Sequence, residues 1–211
     1  VTWGITFIAR FQIATLPVWL ALNLIPLAAL LITNPALVPG WVRFTGLTPA
    51  LGDINAIAIG SAASVIIVLV CQSAEQIDFL RFLPEQTPQN RRAWWVALVL
   101  GGPGWVVLDA FKIMAGSLLA WTVLQAGFSA AQAAQPGLMY WLAWSTCVPP
   151  QLAAGLTVAL VALSQIKINI TNAYAGSLAW SNFFSRLTHT HPGRVFYVLF
   201  NIAIALLLME A

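Results

Sequence analysis

A lysine and several amides interrupt an otherwise apolar stretch in the last third of the 211-residue sequence. Lys167 follows Leu152 after a run made mainly of Leu, Val, Ala and Thr, and a helix places it about 23 Å from that residue. It therefore lies deep in a bilayer whose hydrocarbon core is about 30 Å thick. Lysine at that depth costs about 2.5 to 3.5 kcal/mol on insertion scales, so an ionisable residue there indicates a functional site.

Helical spacing sorts the polar side chains around this lysine into two adjoining stripes. One stripe comprises Ser164, Lys167, Thr171 and Tyr174, and the other comprises Gln165, Asn169 and Asn172. This wedge is too polar to face lipid, so we expect it to line a cavity or to pair with other helices. Interhelical hydrogen bonds that only hold a bundle together remain one interpretation, but the ammonium of Lys167 favours a functional role.

Two further charges, Asp109 and Lys112, stand three residues apart on one predicted helix face. Such a pair lowers the cost of burying either charge, so we predict a structural ion pair, with a proton relay through Asp109 as the alternative. His189 and His191 have no cysteine or carboxylate close in sequence, and no metal site is predicted. No phosphate loop or nucleophile motif is present in the sequence, so neither enzyme activity nor a cofactor is expected.

The composition indicates an all-α integral membrane protein. Sixty per cent of the residues are hydrophobic and 7% are charged, and several apolar runs are long enough to cross a bilayer. We predict about five transmembrane helices in a single transmembrane domain covering 1–211, at about 10–32, 54–83, 94–124, 152–184 and 194–211. Both ends of the sequence lie in apolar runs, so we expect a piece of a longer polypeptide.

Two segments leave their local structure open. The second span turns polar at CQSAEQIDFLRFLPEQ, where it either ends as an ordinary helix at the interface or unwinds between Gln72 and Glu75 as a broken helix. The charge-free connection before the fourth span is long enough for a short helix around 139–146.

The basic residues predict the orientation. One face of the membrane receives Arg10, Arg81, Arg91, Arg92, Arg186 and Arg194, whereas Arg43 alone belongs to the other. The positive-inside rule then places the N-terminal end of the chain in the cytoplasm. The net charge of +3 is therefore explained by arginines on the cytoplasmic side of the membrane, and it does not indicate nucleic-acid binding. We expect the bacterial inner (plasma) membrane as the location.

Two motifs carry a resemblance to a known family. The stretch IKINITNAYAGSLAWSNFFSRLTHTHPGR, together with AEQIDFLRFLPE, resembles the nucleobase:cation symporter-1 family of cytosine, purine, uracil, thiamine, allantoin and hydantoin permeases. The resemblance covers nearly the whole chain, as helices five to nine of a twelve-helix transporter. It implies a partial LeuT-like bundle built from inverted repeats, which would work together with the remaining helices of the full-length protein.

The resemblance also implies roles for individual residues. Amides would hold the edge of a planar heterocycle, and the candidates are Gln72, Glu75, Asn169 and Asn172. The cation or coupling site would involve Ser164, Gln165 and Lys167. Sodium-coupled members use neighbouring hydroxyls on the eighth helix, whereas here Ser164 is followed by Gln165 and then Lys167, so we expect the ammonium to replace sodium, opposite Glu75.

The function predicted is therefore secondary transport of a nucleobase or related small heterocycle by alternating access, proton-coupled or sodium-independent. The coupling ion is a proton or sodium, and the partners are the heterocycle, the lipid bilayer and the rest of the transporter. The alternative is a transporter-like sensory membrane module that binds a small ligand and signals through an attached domain.

Overall fold

A computed structural model describes residues 4–46, 56–189 and 192–210. These residues form α-helices and short connections, with no strand among them, which confirms the all-α class. In chain order the helices are α1 (Ile5–Thr33), α2 (Leu37–Val42), α3 (Ala56–Leu80), α4 (Arg91–Gly101), α5 (Gly104–Gln125), α6 (Ala130–Ala133), α7 (Pro136–Trp144), α8 (Pro150–Thr188) and α9 (Arg194–Met209).

Three of these helices are long and apolar enough to cross a membrane, namely α1, α5 and α8. Shorter apolar stretches occupy Ile59–Val68 in α3 and Val195–Met209 in α9. The membrane character expected from composition is therefore supported. The count of five spans and the LeuT-like arrangement stay predictions.

The contacts divide the chain into two compact units. The terminal unit combines Val1–Thr33 with Gln135–Ala211, and the middle unit is Asn34–Ala134. The terminal unit contains α1, α7, α8 and α9, whereas the middle unit contains α2 to α6. The single transmembrane domain over 1–211 stays a prediction.

The predicted third span, 94–124, is helical in two pieces rather than one. α4 ends at Gly101 and α5 begins at Gly104, because Pro103 has no N–H to continue the helical ladder. Gly102 leaves the helical region with φ −106° and ψ −103°. A Cβ at Gly102 would lie 2.9 Å from the carbonyl oxygen of Leu98, so the turn requires glycine.

The backbone of α3 is helical without interruption from Ala56–Leu80. The structure therefore favours the continuous alternative for the second span, and the unwound segment between Gln72 and Glu75 does not occur. The helix then ends in a turn where Arg81 N donates to Ile77 O at 3.1 Å and Leu83 N donates to Leu80 O at 3.0 Å.

The core of the terminal unit forms where α7 packs against α1 and α8. Leu22 of α1, Trp144 of α7 and both Ala153 and Leu160 of α8 are buried together. α7 begins with Pro136 in its first turn, where the missing N–H would have had no intrahelical partner. The short helix predicted around 139–146 is present as α7, which begins and ends two or three residues earlier than predicted.

α8 is the longest helix, with 39 residues. It begins at Pro150 and ends where His189 adopts the left-handed conformation, with φ 55° and its N–H bonded to Ser185 O. Its length of about 58 Å exceeds the hydrocarbon thickness, so part of α8 extends beyond the apolar core or the helix tilts. Lys167 lies near its middle.

Candidate functional site between α1 and α8

Lys167 and Gln12 join α8 to α1 through a reciprocal exchange of hydrogen bonds. Lys167 Nζ donates to the backbone oxygen of Gln12 at 3.2 Å, and Gln12 Nε2 donates to the backbone oxygen of Lys167 at 3.1 Å. Each side chain thus reaches the other helix's main chain. The pair fixes the register of the two helices at the level of the ammonium.

The ammonium also donates to Thr15 Oγ1 at 3.0 Å, one turn along α1. An ammonium has three N–H donors, and within the described residues two of them are used. The same residues supply no carboxylate partner for Lys167, since the ion pair formed among them joins Lys112 to Asp109. The positive charge of Lys167 is therefore balanced by a carbonyl and a hydroxyl dipole.

The polar contacts continue along the same side of α1. Trp19 Nε1 donates to Ser164 Oγ at 2.9 Å, and Asn23 Nδ2 donates to the backbone oxygen of Trp19 at 2.7 Å. The hydroxyl of Tyr140, on α7, donates to Asn23 Oδ1 at 2.7 Å. Burial raises the pKa of the Tyr140 phenol above its ordinary value, because the ionised form is poorly solvated there.

The hydrogen bonds around Lys167 are comparable in size with the cost of placing an ammonium in hydrocarbon. The two that the ammonium donates contribute about 1.5 to 3 kcal/mol each, because the donor is charged. A lysine at the centre of a membrane helix costs about 2.5 to 3.5 kcal/mol. The contact with α1 therefore makes a lysine at this position tolerable.

The two stripes predicted on α8 face different surroundings. Ser164 and Lys167 of the first stripe contact α1, and Tyr174 is fully buried. The second stripe, made of Gln165, Asn169 and Asn172, is exposed in the terminal unit. The amides of this stripe lie next to the contact between α1 and α8 and are not part of it.

The two cavities described in this protein lie in the middle unit, and neither includes the predicted substrate residues of α8. One is lined by α3 and α5 around Asp109, and the other lies beside Arg91 and Arg92 at the start of α4. The side chains of Gln72 and Glu75 lie outside the described part of the chain. The predicted approach of Lys167 to Glu75 therefore stays a prediction.

The predicted ion pair between Asp109 and Lys112 is present. Lys112 Nζ lies 2.8 Å from Asp109 Oδ1, with the Asp109 side chain 4% exposed and that of Lys112 57% exposed. The ammonium also lies 5.6 Å from the centroid of the Trp105 ring. The lysine thus carries its charge toward the outside while the carboxylate is held inside.

α8 and α9 approach closely at a glycine. A Cβ on Gly176 would lie 2.6 Å from Asn201 Oδ1, the same oxygen that accepts a hydrogen bond from Trp180 Nε1 at 3.1 Å. Beyond it, Phe184 stacks on Tyr197 with ring centroids 5.9 Å apart. Because Gly176 has no side chain, α9 can approach α8 closely at this point.

Sequence reasoning missed the polar residues of α1 that form hydrogen bonds with α8 and α7. Gln12, Thr15, Trp19 and Asn23 follow one another at three- and four-residue steps within an apolar span, so the same helical spacing that identified the α8 stripe was present in α1. The polar stripe of α1 was therefore recognisable in the sequence, but its spacing did not show that α1 packs against α8.

Comparison with protein-family models, curated proteins and solved structures found no match to this chain.

Proposed function

We propose that this chain is part of a secondary transporter for a nucleobase or a related small heterocycle, in which the ammonium of Lys167 supplies a positive charge in place of a bound sodium ion. The observation that carries the proposal is the ammonium of Lys167, which α1 holds in the middle of a candidate membrane-spanning helix without a carboxylate partner among the described residues. The resemblance of the α8 sequence to nucleobase:cation symporters supports the same class.

The charge itself supports sodium independence. Two unit charges 4 Å apart repel each other by about 4 kcal/mol at an effective dielectric constant of 20. A sodium ion next to Lys167 would meet that repulsion, so the site favours the ammonium alone. Because the amine is a titratable group, loss and regain of its proton during the cycle offers a route to proton coupling.

Two features would bind the solute in this proposal: the N–H of Lys167 that has no partner among the described residues, and the exposed amides beside it. A heterocycle with carbonyl and ring N–H groups needs donors and acceptors at its edge when it leaves water. Asn169 and Asn172 provide both, one turn apart on α8. In the complete transporter, the remaining helices would close over this face.

Uptake by the full-length protein in proteoliposomes tests the proposal. Labelled purines, pyrimidines and hydantoins are offered to the wild type and to Asn169→Ala, Asn172→Ala and Asn182→Ala. Asn182 is an exposed asparagine ten residues further along α8 on a different face, so it serves as the control. We expect at least one heterocycle to be transported, with KM raised about tenfold or more in the first two variants and unchanged in the control. Absence of uptake and of binding across the panel would refute the proposed substrate class.

A further inference from the structure

A cleft of about 490 Å³ lies at the start of α4 in the middle unit, and we call it the basic cleft. Its lining residues are Pro88, Arg91, Arg92, Trp95 and Val96. All five are exposed, so a ligand can approach both arginines from outside the unit. The volume lies within the range of about 300 to 1,000 Å³ that is usual for ligand sites.

The charge of the basic cleft indicates an anionic ligand. The side chains of Arg91 and Arg92 have no ion-pair or hydrogen-bond partner among the described residues, and no carboxylate lines the cleft. A guanidinium is always protonated and presents a planar set of N–H donors that matches the oxygens of a phosphate. Two such groups in one cleft therefore complement a phosphate without competition from an acidic side chain.

The side chains of α4 change along the helix in the same order as the parts of a phospholipid. Arg91 and Arg92 come first, Trp94 and Trp95 follow within one turn, and the residues of 96–100 are apolar. Tryptophan is enriched at the level of the lipid headgroups. Most of the apolar side chains after the arginines are about half exposed, which leaves a surface for acyl chains. A free phosphate ion would leave that surface uncovered, so these residues favour a lipid.

Hydrogen bonds hold the chain that leads into the basic cleft. Thr87 N donates to Asn90 Oδ1 at 2.7 Å, and Asn90 Nδ2 donates to the backbone oxygen of Glu85 at 2.9 Å. Trp94 Nε1 donates to the backbone oxygen of Pro84 at 2.9 Å. The wall of the cleft before α4 is therefore fixed to the helix, and a ligand binds there at a lower cost in ordering.

We propose that the basic cleft binds the headgroup of an anionic phospholipid such as phosphatidylglycerol. The phosphate lies against Arg91 and Arg92, and the acyl chains lie along the exposed apolar side of α4. A zwitterionic headgroup fits less well, because its ammonium finds no carboxylate in the cleft. The positive-inside rule predicts the cytoplasmic side for these arginines, where the membrane surface is negative.

Two lipids that differ only in the headgroup test the proposal. Native mass spectrometry of the full-length protein in detergent measures the binding of palmitoyl-oleoyl phosphatidylglycerol and of palmitoyl-oleoyl phosphatidylcholine. We expect the first to bind about tenfold or more tightly, because each arginine near the headgroups attracts an anionic lipid. Glycerophosphoglycerol has the same headgroup without acyl chains, and at equal concentration it should not displace the lipid.

A matched pair of double variants locates the binding. Arg91→Gln with Arg92→Gln removes both charges of the cleft, whereas Arg10→Gln with Arg186→Gln removes two exposed arginines of the same predicted membrane face that do not line it. We expect the first pair to lose the tenfold preference for phosphatidylglycerol and the second pair to keep it.

Three results would overturn the proposal. Equal binding of the two lipids by the wild type would exclude recognition of the headgroup charge, and this comparison needs no variant. Displacement by glycerophosphoglycerol at equal concentration would identify a soluble phosphate compound as the ligand. A preference for phosphatidylglycerol that persists in the variant lacking Arg91 and Arg92, or falls equally in both double variants, would show that the cleft is not the lipid site and leave its arginines to another anion, such as an acidic protein segment.

Discussion

At the scale of single residues, Lys112 and Lys167 differ in the partners of their ammonium groups, which indicates two different roles. Lys112 keeps its ammonium partly exposed and pairs with a buried carboxylate of its own helix, which is an arrangement that stabilises structure. Lys167 instead reaches across to another helix and, within the part of the chain that the structure describes, donates to a carbonyl and a hydroxyl. The charge of Lys112 is paired with a carboxylate, whereas the charge of Lys167 is solvated by two dipoles and has no carboxylate partner among the described residues.

The pair formed by Asp109 and Lys112 gives an asymmetric prediction for stability. Lys112→Met leaves a buried carboxylate without its partner and should lower the unfolding free energy by about 2 kcal/mol or more. Asp109→Leu leaves only an exposed ammonium and should cost less. Denaturant titration of both variants and of the double variant measures the coupling, which we expect to be at least 1 kcal/mol. Equal losses in the two single variants would contradict the assignment of Asp109 as the buried partner.

Tyr140 gives a prediction for pH. Its pKa is raised in the folded state by burial, so the fold favours the neutral phenol. That contribution is full below the ordinary tyrosine pKa of about 10 and is lost as pH rises through the folded value. The thermal midpoint of the wild type should therefore fall between pH 9 and pH 11, and Tyr140→Phe should show a smaller fall. A phenylalanine variant with the same pH dependence as the wild type would exclude this role.

At the scale of helices, proline position decides which apolar runs stay continuous. Pro17 and Pro26 lie inside α1 without interrupting it, whereas Pro103 beside Gly102 separates α4 from α5. The difference was not predictable from proline alone, because membrane helices tolerate it when neighbouring groups satisfy the freed carbonyls. Three glycines, Gly101, Gly102 and Gly104, flank Pro103, and glycine in a helix is less favourable than other residues because it loses more conformational freedom.

The contact of α8 with α9 gives a prediction with an internal control. Gly176→Ala places a Cβ against Asn201 and should disturb its bond to Trp180, at a cost of about 1 to 3 kcal/mol. Gly155→Ala lies in the same helix with nothing within 4 Å and should be neutral or stabilising. Thermal unfolding compares the two, and adding Asn201→Ala should rescue the first. Similar midpoints for both alanine variants would contradict the close approach.

At the scale of the whole molecule, the sequence predicted the all-α class of the fold and the approximate limits of four of the helices. Long apolar runs set those limits, so α1, α3, α8 and α9 begin or end within a few residues of their predicted spans. The candidate site was only half predictable. A lysine in an apolar run is visible in sequence, but its partners Gln12 and Thr15 are more than 150 residues away, and local periodicity does not specify which helices meet.

The orientation of the chain can be tested through Cys147. This thiol is free and exposed in the connection between α7 and α8, which the distribution of arginines predicts to face away from the cytoplasm. In a Cys71→Ser background, a membrane-impermeant maleimide should label Cys147 from the outside of intact spheroplasts. A cysteine introduced by Ser185→Cys, near the other end of α8, should react only after lysis. The reverse pattern would invert the topology.

The sodium dependence of uptake is the most direct test of the role of Lys167. It is measured with the full-length protein in proteoliposomes at constant ionic strength, for the wild type and for Lys167→Met, with Lys112→Arg, which keeps a positive charge beside Asp109, as the control at the other lysine. We expect wild-type uptake that does not change with sodium, at least a tenfold loss of uptake in Lys167→Met with the fold retained, and sodium-independent uptake in the control. Wild-type uptake that rises steeply with sodium, together with unchanged uptake in Lys167→Met, would contradict the proposal that this ammonium replaces a bound cation.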